Sequence, residues 1–517
     1  MKHLAAIIAL AIPVFPIYAQ TAPPELDPGL GTLHHAVSTK NAEAQTYFDQ
    51  GLKYVYAFNH EAAVESFTHA TALDPDLAMG YWGAALALGP NINMDVDPDH
   101  EKQAYETTQA ALKHLEHASA EERDLINALA KRYTNDPKAD LHKLSEDYSA
   151  AMGEVAKKYP DDADVATLYA ESLMDLHPWK FWTHDGTPTE GTEEIVSTLQ
   201  AVLKKHPNHI GANHYLIHAV EASAHPELGL ASAHRLQTLA PSAGHLVHMP
   251  AHILQRTGDY AGAARANARG ADVDRGWIKK HGGESMYAAM YYNHNLQFGS
   301  ASYAMIGDYA ASKKMADEFG ATAAGMAKMM PPVEIFAAAP ALVLVRFAKW
   351  RDVLSVPDPK AGTSSTALWH FARGTAFAKL GNVSGAESEL KELDALLPTV
   401  TTEPGFTQNS QRDLVAVASH VLQGRVAAAK GDHAGAIAHY EEAVKLEDAL
   451  NYDEPADWPL PARETLGAEL LRAGRKADAK RVFEEDLKHN PHNPRSLFAL
   501  GRKAPAWKGA APRVEDF

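Results

Sequence analysis

The 517-residue chain contains no cysteine. That excludes disulfides, thiolate metal ligands and a lipid anchor attached through cysteine. Cationic residues are also in deficit: 48 Lys and Arg stand against 65 Asp and Glu, for a net charge of −17. This balance opposes nucleic acid and anionic lipid as partners. Runs long enough to cross a bilayer, about 20 apolar residues, are absent too. The stretch Ile335–Val345 is short, ends at Arg346 and reads as a buried helix. With 46% hydrophobic and 22% charged residues the chain has the composition of a folded protein. It is too long for one compact core, so several domains or an extended array are expected.

The N-terminus has the pattern of an export signal. Lys2 supplies a positive start, Leu4 to Ile12 an apolar segment, and Ile17-Tyr18-Ala19 a cleavage site ending on a small residue. Residues 1–19 are therefore expected to be removed, leaving no membrane span and a periplasmic or secreted protein. Residues 20–40, rich in Pro, Gly and acid up to Leu33, read as a flexible lead-in. His34-His35 within it are expected to be solvated.

Repetition organises the rest. From Ala44 to Leu77, residues Gly51, Tyr54, Ala63, Phe67, Ala70 and Pro75 fall at positions 8, 11, 20, 24, 27 and 32 of a window. This spacing resembles the tetratricopeptide repeat, a helical hairpin of about 34 residues in which small residues let the paired helices approach. Weaker copies carry Gly374, Gly381 and Ala386, then Gly424, Gly431 and Ala436, then Gly467, Gly474 and Ala479. The expected fold is all-α, a tetratricopeptide-like solenoid, with one array over 41–345 and a second over 346–517. Three stretches interrupt the pattern and read as inserted loops: Gly89–His100, Pro178–Thr189 and Gly276–Tyr292. Asn91, Asn93, Asp95 and Asp97 alternate oxygen ligands as calcium loops do. They lack the Gly and the closing Glu of that loop, so turn formation is expected.

Histidine is the residue in excess. Nine of the 28 lie between His206 and His252. His214 and His218 are four apart, as are His248 and His252, so each pair shares one helical face. The second pair follows the first by 34 residues, one repeat. With units starting at Ile210 and Gly244, the four occupy positions 5 and 9 of two successive first helices, which line the concave groove of such an array. Glu221 and His245 extend that face at positions 12 and 2. His294 holds position 2 of a unit starting at Asn293.

Imidazole is a common ligand for zinc, copper and iron. The six residues His214, His218, His245, His248, His252 and His294 are therefore candidate ligands for a divalent transition metal. No H-E-x-x-H motif is present, so Glu221 is the candidate general base. Trp179, His184 and Asp185 on the second inserted loop, and Arg463 before the last repeat, are candidate substrate contacts. Tyr287, Tyr291 and Tyr292 precede His294 and are expected in the core. The alternative to a metal site is a groove that holds a protein or peptide partner without metal.

Beyond the generic repeat, the segments GYWGAALALGPNIN, GANHYLIHAVEAS, GHLVHMPAHI and EPADW…RETLG resemble a bacterial family of exported tetratricopeptide proteins. The resemblance implies the repeat fold and no activity.

Overall fold

The computed structural model describes residues 23–282, 285–404 and 407–517. The expected export signal at 1–19 lies outside them. The described residues form helices joined by turns, with no β-strand and three isolated bridges. No described helix is long and apolar enough to cross a membrane.

Four hairpin turns repeat one local solution. Gly258, Gly307, Gly381 and Gly431 end a first helix at φ between 76° and 83°. That left-handed conformation closes a helix and suits a residue without Cβ. The next residue, Asp259, Asp308, Asn382 or Asp432, then caps the second helix through its side chain. Within a hairpin the small positions carry the packing. In Ala42–Tyr56 and Ala78–Ala87, Gly51 and Gly83 flank the Phe67 ring, and a Cβ on either would meet that ring at 2.7 and 2.4 Å.

Two main cores result. One runs from Leu30 to Tyr291, the other from Ile335 to Phe517. The helix Ala339–Arg346 gives Leu342 to the second, so that array begins before residue 346. The apolar run there is a buried helix, as its length implied. The second array returns onto the first. Lys508 N donates to the Ile306 carbonyl at 2.6 Å, and a Cβ on Gly258 would strike the Pro491 carbonyl at 2.5 Å.

The lead-in, expected to be flexible, is pinned. Leu30 is buried, Asp27 N donates to Gln50 Oε1, and Ser38 N donates to Glu122 Oε1. His35, expected to be solvated, has only 11% of its side chain exposed and meets Asp164 at 3.0 Å, while His34 is exposed. Burial opposes charge on His35. The hydrogen bond and charge of Asp164, with Asp162 and Glu121, outweigh it and push the imidazole up to about 9.

Two consequences are measurable. Gly83→Ala forces a methyl into the Phe67 ring and should cost about 1–3 kcal/mol in chemical denaturation. The His35–Asp164 pair, with a folded-state pKa above the ordinary value, stabilises fully below about pH 6.5 and loses its effect as pH rises through about 9. The stability difference between wild type and His35→Gln, roughly 3 kcal/mol at pH 6 from the size of the shift, should therefore shrink towards pH 9.5.

Candidate metal centre

The first unit of the histidine segment is the helix Ile210–Glu221, paired with Leu230–Leu239. The second unit does not begin with one continuous helix. Gly244–His248 stops, and Pro250 opens a new segment, Pro250–Arg256, because it has no N–H for the bond back to the preceding turn. The break leaves His248 and His252 side by side, with ring centroids 4.7 Å apart. His294 arrives on Asn293–Met305, directly after a π-turn at Ala288–Tyr292.

All six histidines meet in two groups. Ligand atoms of His214, His218 and His245 lie within 4.8 Å of one another, and those of His248, His252 and His294 do the same. Five of the rings are 2% exposed or less, and His294 is slightly more open.

Four of the six rings have their far nitrogen held by a group with no proton to give. His214 Nδ1 donates to the Tyr56 carbonyl at 2.7 Å. His218 Nδ1 donates to one oxygen of Glu221 at 2.8 Å, and His252 Nδ1 donates to the other. His248 Nδ1 donates to Asn267 Oδ1 at 2.6 Å. With the proton on Nδ1, the neutral rings of His214, His218 and His248 turn a lone pair on Nε2 toward the group centre.

The Nε2 atoms of His248 and His252 are 2.7 Å apart, and those of His214 and His245 are 3.0 Å apart. Two facing lone pairs repel unless a proton or a metal ion lies between them. His218 Nε2 and His245 Nδ1 are buried with no partner at all. In a tetrahedral site with bonds near 2.0–2.1 Å, ligand nitrogens stand about 3.3 Å apart, so the His214–His245 pair would open by about 0.3 Å and the His248–His252 pair by about 0.6 Å to take an ion.

Charge follows this geometry. Burial holds His214, His245 and His248 well below the ordinary imidazole range, lowers His218, and takes His294 down to about 3. His252 goes the other way, because Glu221 outweighs its burial. Glu221 is lowered to about 2: burial opposes its charge, but His252 and His218 prevail.

The second-array match appears in the primary structure as well. Residues 417–449 match the tetratricopeptide repeat family. No curated protein matches the chain. Among solved structures, yeast Tom70 is 12% identical over 89% of this chain and 88% of its own, with a TM-score of 0.30. Human IFIT1 is 14% identical over 89% and 91%, with a TM-score of 0.33. The P58(IPK) tetratricopeptide domain is 14% identical over 86% and 99%, with a TM-score of 0.18. Overlap this loose carries nothing about ligand, partner or activity.

Beside the histidines lies a cavity of about 710 Å³ that is partly open to solvent. His218, His245, His252 and His294 line its floor. The loop 90–96, Trp179 and Tyr291 wall it, and Asp453 and Glu454 reach in from the second array. Turn formation in the acidic loop is as expected: Asn91 accepts from Asn93 N, and Asp97 caps Pro98–Lys113. Tyr287 and Tyr291 are buried, and the Tyr291 ring sits 4.5 Å from His245.

Several expected contacts are placed elsewhere. Glu221 is not a free base, since both of its oxygens are taken by imidazole N–H groups. His184 and Asp185 are exposed, and Asp185 braces its own turn through Thr183 and Thr187. The Arg463 guanidinium is committed to both oxygens of Asp448. Trp179 does reach the cavity, with its ring 5.8 Å from His218.

Phe58 was not singled out by sequence. Its ring stacks 5.4 Å from His245 and lies 4.6 Å from His214. It takes the left-handed turn position at φ 55°, where later repeats place Gly. A bulky residue there carries strain of about 1–3 kcal/mol, and it was the readable sign of a special site.

Glu221→Gln would present an amide N–H to one of two imidazole N–H donors. In metal-free protein this should cost about 1–3 kcal/mol, measured by denaturant titration with a chelator present.

Proposed function

We propose that the chain is a helical-repeat scaffold whose central cavity is built around two divalent transition-metal ions. One ion sits among His214, His218 and His245, the other among His248, His252 and His294. The observation that supports the metal reading is the convergence of buried imidazole nitrogens in two trios, four of the six rings having the opposite nitrogen fixed by an acceptor. Protein groups behind a ligating imidazole commonly set its tautomer and orientation in this way. Nitrogen donors without thiolate suit zinc, copper or iron. An ion held by three nitrogens keeps a position open toward the cavity, where it can polarise a substrate or acidify water. A metal-dependent hydrolase or oxidoreductase fits this arrangement.

The scaffold reading has the more direct support from comparison, through the repeat architecture and the match at 417–449. Arrays of this kind hold protein or peptide partners on extended surfaces. Export to the periplasm or medium belongs to the same proposal and rests on the Lys2, Leu4–Ile12 and Ala19 pattern.

Elemental analysis of purified, metal-reconstituted protein should return two ions per chain. His214→Ala combined with His248→Ala should return none. No bound metal in the wild type, as isolated and after reconstitution, would overturn the metal reading. A co-purifying partner retained through chelation would then leave the scaffold reading standing alone. Glu221→Gln should weaken metal binding 10–100-fold, read by competition with a chromophoric chelator.

A further inference from the structure

The second array contributes a carboxylate to the histidine floor. Glu454 lies on the segment between Gln411–Ala429/His433–Asp448 and Ala462–Arg472, 160 residues beyond His294. It is 5% exposed and lines the cavity with His252 and His294. Ligand atoms of Glu454, His252 and Glu221 lie within 4.8 Å of one another.

Its attachment is specific. One Glu454 oxygen accepts from the Tyr452 hydroxyl. Among the described residues no group takes the other oxygen. Tyr452 lies under the Arg256 guanidinium, 5.3 Å from ring centroid to charge centre. Arg256 in turn donates to the carbonyls of Glu221 and Ser223 at 2.9 and 3.1 Å. A continuous chain of contacts thus runs from the end of the first histidine helix, through Arg256 and Tyr452, to Glu454. It fixes the carboxylate beside His252, the member of the second trio that it shares a group with.

Resting on the metal reading above, we infer that Glu454 is a ligand of the ion held by His248, His252 and His294, so that the two sites differ chemically and the second is completed only when the C-terminal array docks. The first site is then all-nitrogen. The second is three nitrogens and one oxygen, a harder donor set that favours iron or zinc over copper(I). Glu221 does not compete for this role, because its two oxygens are held by imidazole N–H groups.

Cobalt(II) loading of the stripped full-length chain tests this, with stoichiometry from elemental analysis and the ligand field from visible absorption. Wild type should bind two ions. Glu454→Gln should bind one as wild type does and the other at least tenfold more weakly, with a changed visible band for that ion. Glu454→Gln combined with His294→Ala should affect only that same ion, whereas Glu454→Gln combined with His214→Ala should weaken both.

Two ions bound by Glu454→Gln with unchanged affinity and spectrum would overturn the inference. So would loss that maps to the His214 site. If wild type binds no cobalt, it is the metal reading itself that fails. Circular dichroism of the metal-free variants checks folding. Should Glu454→Gln not fold, Glu454→Asp, which withdraws the carboxylate by one methylene, is read by the same absorption band: an altered band supports ligation, and an unaltered band overturns it.

Discussion

Burying an imidazole asks for partners on both edges of the ring, and this protein buries a cluster of them in one place. An unsatisfied polar atom in an interior costs about 1–3 kcal/mol, so such a cluster survives only if its edges are spoken for. Four of the outer edges are: the Tyr56 carbonyl, the two oxygens of Glu221 and Asn267 Oδ1 each take one N–H. The inner edges face each other. That constraint shapes the rest of the site, because it fixes tautomers and aims ring nitrogens at one another, and it is the basis of the metal proposal.

Glu221 holds the arrangement together. Placed between the trios, it receives one imidazole from each, and its helix end is held by Arg256. A single carboxylate thereby couples two groups of ligands that come from different repeats. The same arginine reaches the second array through Tyr452, so the orientation of the histidines and the docking of the C-terminal repeats share one physical connection. The repeat fold supplies rigid helices for this purpose. The irregular loops and the returning array add walls to the cavity beside the histidines.

Departures from the repeat rule mark this region. Phe58 stands where a Gly would be unstrained, Pro250 interrupts the helix that carries two ligands, and a π-turn precedes His294. Each trades local regularity for the placement of a ring. At Gly258, Gly307, Gly381 and Gly431 the Gly-then-Asp/Asn turn is kept.

Much of the fold was legible in sequence, because a tetratricopeptide hairpin is specified locally: small residues at set positions, a left-handed Gly at the turn and a capping side chain after it. The register of His214, His218, His248 and His252 was legible for the same reason, since equal positions in successive units must face the same side. Long-range pairing left no such trace. That Glu221 is consumed in orienting two rings, that Arg463 is spent on Asp448, and that His184 and Asp185 stay at the surface depend on neighbours distant in the chain. So do the pinning of the lead-in through His35 and Asp164 and the arrival of Glu454 at the histidine floor. A repeating local code fixes what each hairpin presents. Only the superhelix, by bringing residues 160 and more positions apart into contact, decides which presented groups meet.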